Sequence, residues 1–213
     1  MIDLYTWTTP NGRKVSIMLE ECGLEYEVFP IDIMGREQFA PAFLHISPNG
    51  KIPAIVDREA GLSLMESGAI LLYLAEKTGR FLPASGAERL RVIEWLMWQM
   101  GGFGPMLGQA HHFLHFNPSK APYAEERYGK EAERLYRVLD RQLETHEFVA
   151  GAYSIAASLA VYVDADPQAE IPWRSCSDCH ESPHRESFLA SLPLPVSGLP
   201  EGGQCAVCHS EQH

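Results

Sequence analysis

Two short motifs toward the C-terminus carry the most overt chemistry in this sequence. They are Cys176-Ser177-Asp178-Cys179-His180 and Cys205-Ala206-Val207-Cys208-His209. A Cys-x-x-Cys-His run offers two thiols for thioether bonds and an imidazole for axial ligation, the pattern of c-type haem attachment. His184 and His213 are candidate second ligands. The same four cysteines also pair as they would around zinc. A third reading is a junction tail that binds nothing. These three readings stand open. The chain opens Met-Ile-Asp-Leu-Tyr with no basic stretch before an apolar run, so no secretory leader is expected. Haem loading, an export-side process, is therefore not expected either.

The remaining candidates lie in the first three quarters of the chain. His111 and His115 are one helical turn apart, with His112 beside them. No carboxylate or thiol stands near them in sequence, so packing is expected there and not a metal. Cys22 falls on a stripe with Val15, Met18 and Leu19 and reads as core. The turn Thr8-Thr9-Pro10-Asn11 contains no cysteine, so the chain cannot cycle a dithiol at that point.

The elements that position these residues follow from periodicity. Ile2 to Tyr5 reads as a strand, the stripe through Cys22 as a helix stopped by Gly23, and Tyr26 to Ile31 as a second strand. After a long connection, Ile52 to Val56 and Leu62 to Met65 read as strands, and a helix runs from Glu66-Ser67-Gly68 to Gly79. This β-α-β, β-β-α order is a thioredoxin-like plan. Strand signals then stop. Ala87 to about Phe116 and Tyr123 to His146 predict two long helices, the first kinked or broken at Gly101-Gly102-Phe103-Gly104-Pro105. A third helix is expected from Ser154 to Tyr162.

The composition is ordinary for a globular protein, with 46% apolar and 21% charged residues among 213. A net charge of −11 argues against nucleic acid as a partner. No apolar run is long enough for a membrane span, and a cytoplasmic location is expected. Residues 158–213 hold eight acidic residues, two Arg, no Lys, four of the five Cys and six of the fifteen Pro, which marks a boundary.

Three segments carry a resemblance to a known family. Ser47-Pro48-Asn49-Gly50-Lys51-Ile52-Pro53-Ala54 resembles the glutathione transferase segment that ends in a cis-proline. Glu66-Ser67-Gly68-Ala69-Ile70 resembles the family's glutathione-binding turn. Gly151-Ala152-Tyr153-Ser154-Ile155-Ala156 resembles the start of its core helix. Tyr5 to Asn11, Gln38-Phe39, and Gly104-Pro105-Met106-Leu107-Gly108-Gln109 with His111-His112-Phe113 are similar to the bacterial Nu class of disulfide-bond oxidoreductases. The resemblance covers residues 1–157.

The resemblance implies a fold: an α/β thioredoxin-like domain over 1–80, a truncated all-α helical bundle over 87–163, and an irregular Cys/His-rich tail over 164–213. It implies glutathione as cosubstrate, small disulfides as partners and a homodimer. It assigns Thr9 and Asn11 to the glutathione sulfur and the Ile52 backbone, ahead of Pro53, to the cysteinyl amide. Glu66 would face the α-amine and Ser67 the γ-glutamyl carboxylate, at a helix N-terminus that favours an anion. Gln38 and Lys51 would hold the glycine end, and Arg127 would reach in across the cleft. The residues also admit plainer readings: Ser67 as a helix cap, Asn11 as a capping turn residue, Lys51 and Arg127 as solvated charges. Tyr5 is expected to pack. The pattern breaks at Ala157, where the family places an Asp that completes a capping box. With the bundle cut short, apolar helix faces are expected to stand exposed.

Overall fold

The computed structural model describes residues 1–159. Both Cys-x-x-Cys-His motifs, with their candidate haem and zinc ligands Cys176, Cys179, His180, Cys205, Cys208 and His209, lie outside the described residues.

Strand β1 (Ile2–Thr6) runs parallel to β2 (Tyr26–Pro30) and antiparallel to β3 (Ala54–Asp57), which pairs antiparallel with β4 (Leu62–Met65). The sheet order is β2-β1-β3-β4. Helix α1 (Pro10–Cys22) makes the crossover between the parallel strands. A later helix, α3 (Ser67–Thr78), follows β4 and packs on α1. Leu4 and Ile55 from the sheet, Val15 and Leu19 from α1, and Ile70 and Leu74 from α3 are all fully buried. Each such side chain contributes about 1.5–3 kcal/mol of burial. Tyr5 stacks on Phe29 with ring centroids 5.0 Å apart, a packing role as expected.

Two details differ from the sequence reading. The connection between β2 and β3 is not featureless: it carries a 3₁₀ turn (Glu37–Phe39) and a short helix α2 (Pro41–Ile46) that buries Phe43. The third strand begins at Ala54 and not Ile52, because Pro53 has no N–H to give the ladder.

The helical half is built from α4 (Gly86–Trp98), α5 (Gly104–His111) and α6 (Pro122–Leu143). The Gly-rich stretch does not break the first of these. The helix widens into a π turn over Gln99–Phe103, in which the Gly104 N–H bonds the Gln99 carbonyl, and continues as α5. Pro105 supplies the reason. Its ring would strike a carbonyl one α-turn back, and widening the helix clears it. A second π turn spans His112–Phe116. Val92, Leu96, Phe103, Leu135 and Leu139 form the core here. Leu90, Leu114, Phe116 and Tyr123 stand exposed. Of the helix expected from Ser154 to Tyr162, the described part is a 3₁₀ segment, Ile155–Leu159, and the rest of that expectation falls outside the described residues. No helix among the described residues is long and apolar enough to cross a membrane.

Candidate functional site

Strand register brings three segments to one end of the sheet. Tyr5 pairs with Ala54, and Ala54 pairs with Met65. The chain leaving β1 toward Thr9, the Ile52-Pro53 entry into β3 and the Glu66-Ser67 exit from β4 are therefore neighbours. The Ile52–Pro53 peptide is cis. Ile52 lies outside the ladder, so β4 does not use its peptide edge.

The turn after β1 is held by its own side chains. Thr9, not Asn11, is the cap of α1: its Oγ1 accepts the Gly12 N–H at 3.2 Å. The Thr9 N–H donates to the Trp7 carbonyl at 2.8 Å. Gly12 permits this closure, since a Cβ there would strike the Thr6 hydroxyl and lie 2.5 Å from the Trp7 carbonyl oxygen.

Asn11 points inward. Its Oδ1 accepts from Lys14 Nζ at 2.9 Å and from the Ser67 hydroxyl at 3.3 Å. Ser67 is 3% exposed and does not cap α3; Glu66 occupies the cap position and makes no side-chain cap bond. The first-turn amides of α3 are thus not satisfied by a cap side chain, and the helix dipole there favours an anion. Glu66 adopts φ 70°, which costs a non-glycine residue about 1–2 kcal/mol. Its exposed carboxylate is met by Asn49 Nδ2 at 3.4 Å.

Lys14 is the residue that sequence reasoning missed. It is 1% exposed. Besides Asn11, its ammonium donates to Gln99 Oε1 at 2.8 Å and Ser67 Oγ at 3.3 Å, with Met100 Sδ at 3.6 Å. Burial pulls its pKa down to about 7, opposed by the Glu66 carboxylate. The signal was present in the sequence. Positions 11, 14, 15, 18, 19 and 22 form one helical stripe, and a lysine stands on its apolar side. Gln99 and Met100 were missed with it. Met100 reaches the site because Gly68 makes room: a Cβ there would lie 2.8 Å from Met100 Cγ.

The other assigned residues are less closely joined. Gln38 Nε2 makes one long bond to the Ile33 carbonyl at 3.4 Å, and its Oε1 is buried without a partner among the described residues. Gly50 lies against Phe39 and the Gln38 carbonyl, which keeps Gln38 beside the exposed Lys51. The Lys51 carbonyl accepts the Ser47 hydroxyl at 2.8 Å. Arg127 is exposed on α6 and lines a cavity of about 580 Å³ with Met106, Tyr123 and Tyr128. No hydrogen bond joins it to Asn11, Lys14 or Ser67 among the described residues. His111 and His115 stack face to face with centroids 4.8 Å apart, and no group of metal-holding side chains occurs among the described residues. Cys22 is half-buried and not fully in the core. Burial raises its thiol pKa, and its Sγ lies 3.5 Å from Thr78 Oγ1.

The chain is similar to known proteins over these same elements. The glutathione S-transferase N-terminal domain model matches residues 1–76. The disulfide-bond oxidoreductase YfcG of Escherichia coli (strain K12) is 55% identical over 162 residues, covering 73% of this chain and 75% of that protein. The disulfide-bond oxidoreductase YghU of the same strain is 45% identical over 170 residues, covering 76% of this chain and 59% of that protein. A glutathione transferase family member from Pseudomonas fluorescens pf-5, crystallised with two glutathione bound, matches with TM-score 0.72 at 46% identity, covering 76% of this chain and 75% of its own. A glutathione transferase from Pseudomonas putida, with one glutathione disulfide bound per subunit, gives TM-score 0.72 and 46% identity over 76% of this chain and 74% of its own. The chain therefore belongs to the glutathione transferase family.

Proposed function

We propose that this protein is a glutathione-dependent disulfide-bond reductase that works through the thiolate of bound glutathione. One observation carries the reading. The Thr9-Asn11 turn, the cis Ile52-Pro53 edge and the α3 N-terminus meet at one end of the sheet, with no cysteine in the turn. Such a site can hold a thiol but has none of its own. The identity to YfcG supports disulfides as the substrate class.

In this reading the γ-glutamyl carboxylate sits on the first turn of α3 and the Ser67 hydroxyl, with Glu66 facing the α-amine. The Ile52 backbone pairs with the cysteinyl amide beside Pro53. Gln38 and Lys51 take the glycine end, and Arg127 adds charge from the helical side. Thr9 and Asn11 donate to the sulfur and favour its thiolate. The thiolate attacks one sulfur of a disulfide, forming a mixed disulfide and releasing the other half as a thiolate, which takes up a proton. A second glutathione thiolate then attacks the mixed disulfide. This releases glutathione disulfide and the remaining substrate thiol. Two glutathiones are oxidised and one disulfide is reduced.

We further propose a cytoplasmic homodimer, with residues 1–80 and 87–163 as its two domains. The exposed Leu90, Leu114, Phe116 and Tyr123 support an association that covers the helical half. Conjugation of electrophiles is a second reading, since it needs the same thiolate. The test is NADPH consumption coupled through glutathione reductase, with a small disulfide as substrate, set beside conjugation of a chlorinated aromatic followed by absorbance. Turnover of the disulfide alone supports the reductase; turnover of the electrophile alone overturns it. The tail is a separate proposal, a c-type haem segment by descent that carries no haem. A Soret band in the visible spectrum of protein made alongside haem-maturation machinery would overturn that.

A further inference from the structure

Lys14 has no part in the reaction just described, yet it sits at its centre. A lysine buried to 1% exposure is uncommon, because taking an ammonium out of water is costly unless its donors are all met. Here they are met by polar groups from three elements: Asn11 on α1 itself, Ser67 at the start of α3, and Gln99 in the π turn. Glu66, at the α3 cap, adds a negative charge that favours the protonated form.

The chemistry of the donors fixes orientation. An ammonium can only donate. Asn11 must therefore turn its carbonyl oxygen to Lys14, which sends its NH2 group to the other side of the amide. Ser67 likewise meets Lys14 with a lone pair, which leaves its hydroxyl proton for an acceptor; in this structure that acceptor is Asn11 Oδ1. Asn11 is thereby presented as a donor, as a thiolate requires, and Ser67 has a proton that can pass from Asn11 Oδ1 to a carboxylate when one binds.

We propose that Lys14 is the positioning residue of the thiol site, orienting Asn11 toward the glutathione sulfur and Ser67 toward the carboxylate, and fastening both to the helical half through Gln99. This rests on the glutathione reading above. The ammonium also places a positive charge behind Asn11, which favours a thiolate in front of it. When Lys14 loses its proton it becomes an acceptor, and the fixed orientation of Asn11 goes with it. The pH profile of turnover should then rise with thiol ionisation and fall again as Lys14 deprotonates.

The test uses the full chain as wild type, Lys14→Met and Gln99→Leu. The far-ultraviolet absorbance of the thiolate, followed against pH in glutathione-saturated protein, gives the thiol pKa, and kcat and KM come from the disulfide assay. For Lys14→Met, the thiol pKa should rise by about one unit, kcat at pH 7 should fall about tenfold, and the alkaline limb should vanish. Gln99→Leu keeps the charge and should move the alkaline limb without abolishing it. If Lys14→Met does not fold, an unmoved alkaline limb in Gln99→Leu overturns the proposal. A folded Lys14→Met with the wild-type thiol pKa and pH profile overturns it as well, while leaving the glutathione reading intact. Wild type that neither binds glutathione nor reduces the disulfide overturns both.

Discussion

Lys14 Nζ and Gln99 Oε1 lie 2.8 Å apart although 85 residues separate them, and both residues are only 1% exposed. This bond ties the crossover helix of the sheet to the π turn of the helical half. It crosses from one half of the protein to the other at the point where the candidate thiol site forms.

The buried ammonium makes stability depend on pH in a stated direction. The Lys14 pKa is pulled down to about 7 in the folded chain, against about 10.4 when unfolded. Between these values the unfolded chain binds more protons, so stability rises with pH from 7 toward 10. Urea melts at pH 6.5, 8 and 9.5 should show that rise. Lys14→Met should flatten it. Parallel slopes for both proteins would contradict the assignment.

Asp57 behaves oppositely. Burial alone would raise its pKa. The Tyr73 hydroxyl at 2.6 Å, Lys77 at 2.9 Å and the Ala60 and Glu59 amides outweigh burial and hold it well below the usual carboxylate range. Its contribution is present above about pH 4 and is lost as the pH falls further. Asp57→Asn should cost about 2 kcal/mol, roughly 4–8 °C in Tm, and should blunt the acid transition. Calorimetry at pH 3 and 7 checks both.

For the sulfur contact, Asn11→Ala should lower kcat by about 10²-fold, the scale of one lost donor to a developing anion. Thr9→Ala also removes the α1 cap and should cost about 1 kcal/mol of stability besides. A Thr9→Ala, Asn11→Ala double variant with wild-type turnover would refute the assignment.

Two glycines should respond differently to a methyl group. Gly12→Ala meets the backbone oxygen of Trp7, which cannot step aside, and should lower Tm by several degrees. Gly68→Ala meets the flexible Met100 side chain, so its stability loss should be smaller. Its effect on KM for glutathione should be the larger of the two, because Met100 lies against Ser67. Thermal melts and steady-state kinetics on the pair separate these outcomes.

The elements legible in the sequence are those written locally. The alternation of β1, the stripe of α1 with its Gly23 stop, and the strand-to-helix exit at Glu66-Ser67 need no distant partner to be read. The family motifs likewise lie within short windows. Lys14 was only half legible: its place on the apolar stripe of α1 is written in the sequence, but the Gln99 and Met100 that meet it there are not announced by anything within one helix. The α1 cap is ambiguous in sequence for a related reason: Thr9 and Asn11 are both good caps, and only the closure of Gly12 against Trp7 chooses between them. The helix α2 was hidden because its six residues are too few to show a period.

The π turn at Gln99–Phe103 gives the helical half slack in length as well as in lettering. A methyl group added at position 101 would meet open space, so Gly101→Ala should be accepted readily. Removing that residue would let the turn close to an α turn with the phase of α5 kept, because a π turn holds one residue more than an α turn. The cost would fall on Pro105, whose ring would then meet the carbonyl one α-turn back. A single-codon deletion inside α6, which has no such spare residue, would instead rotate everything after it by about 100°.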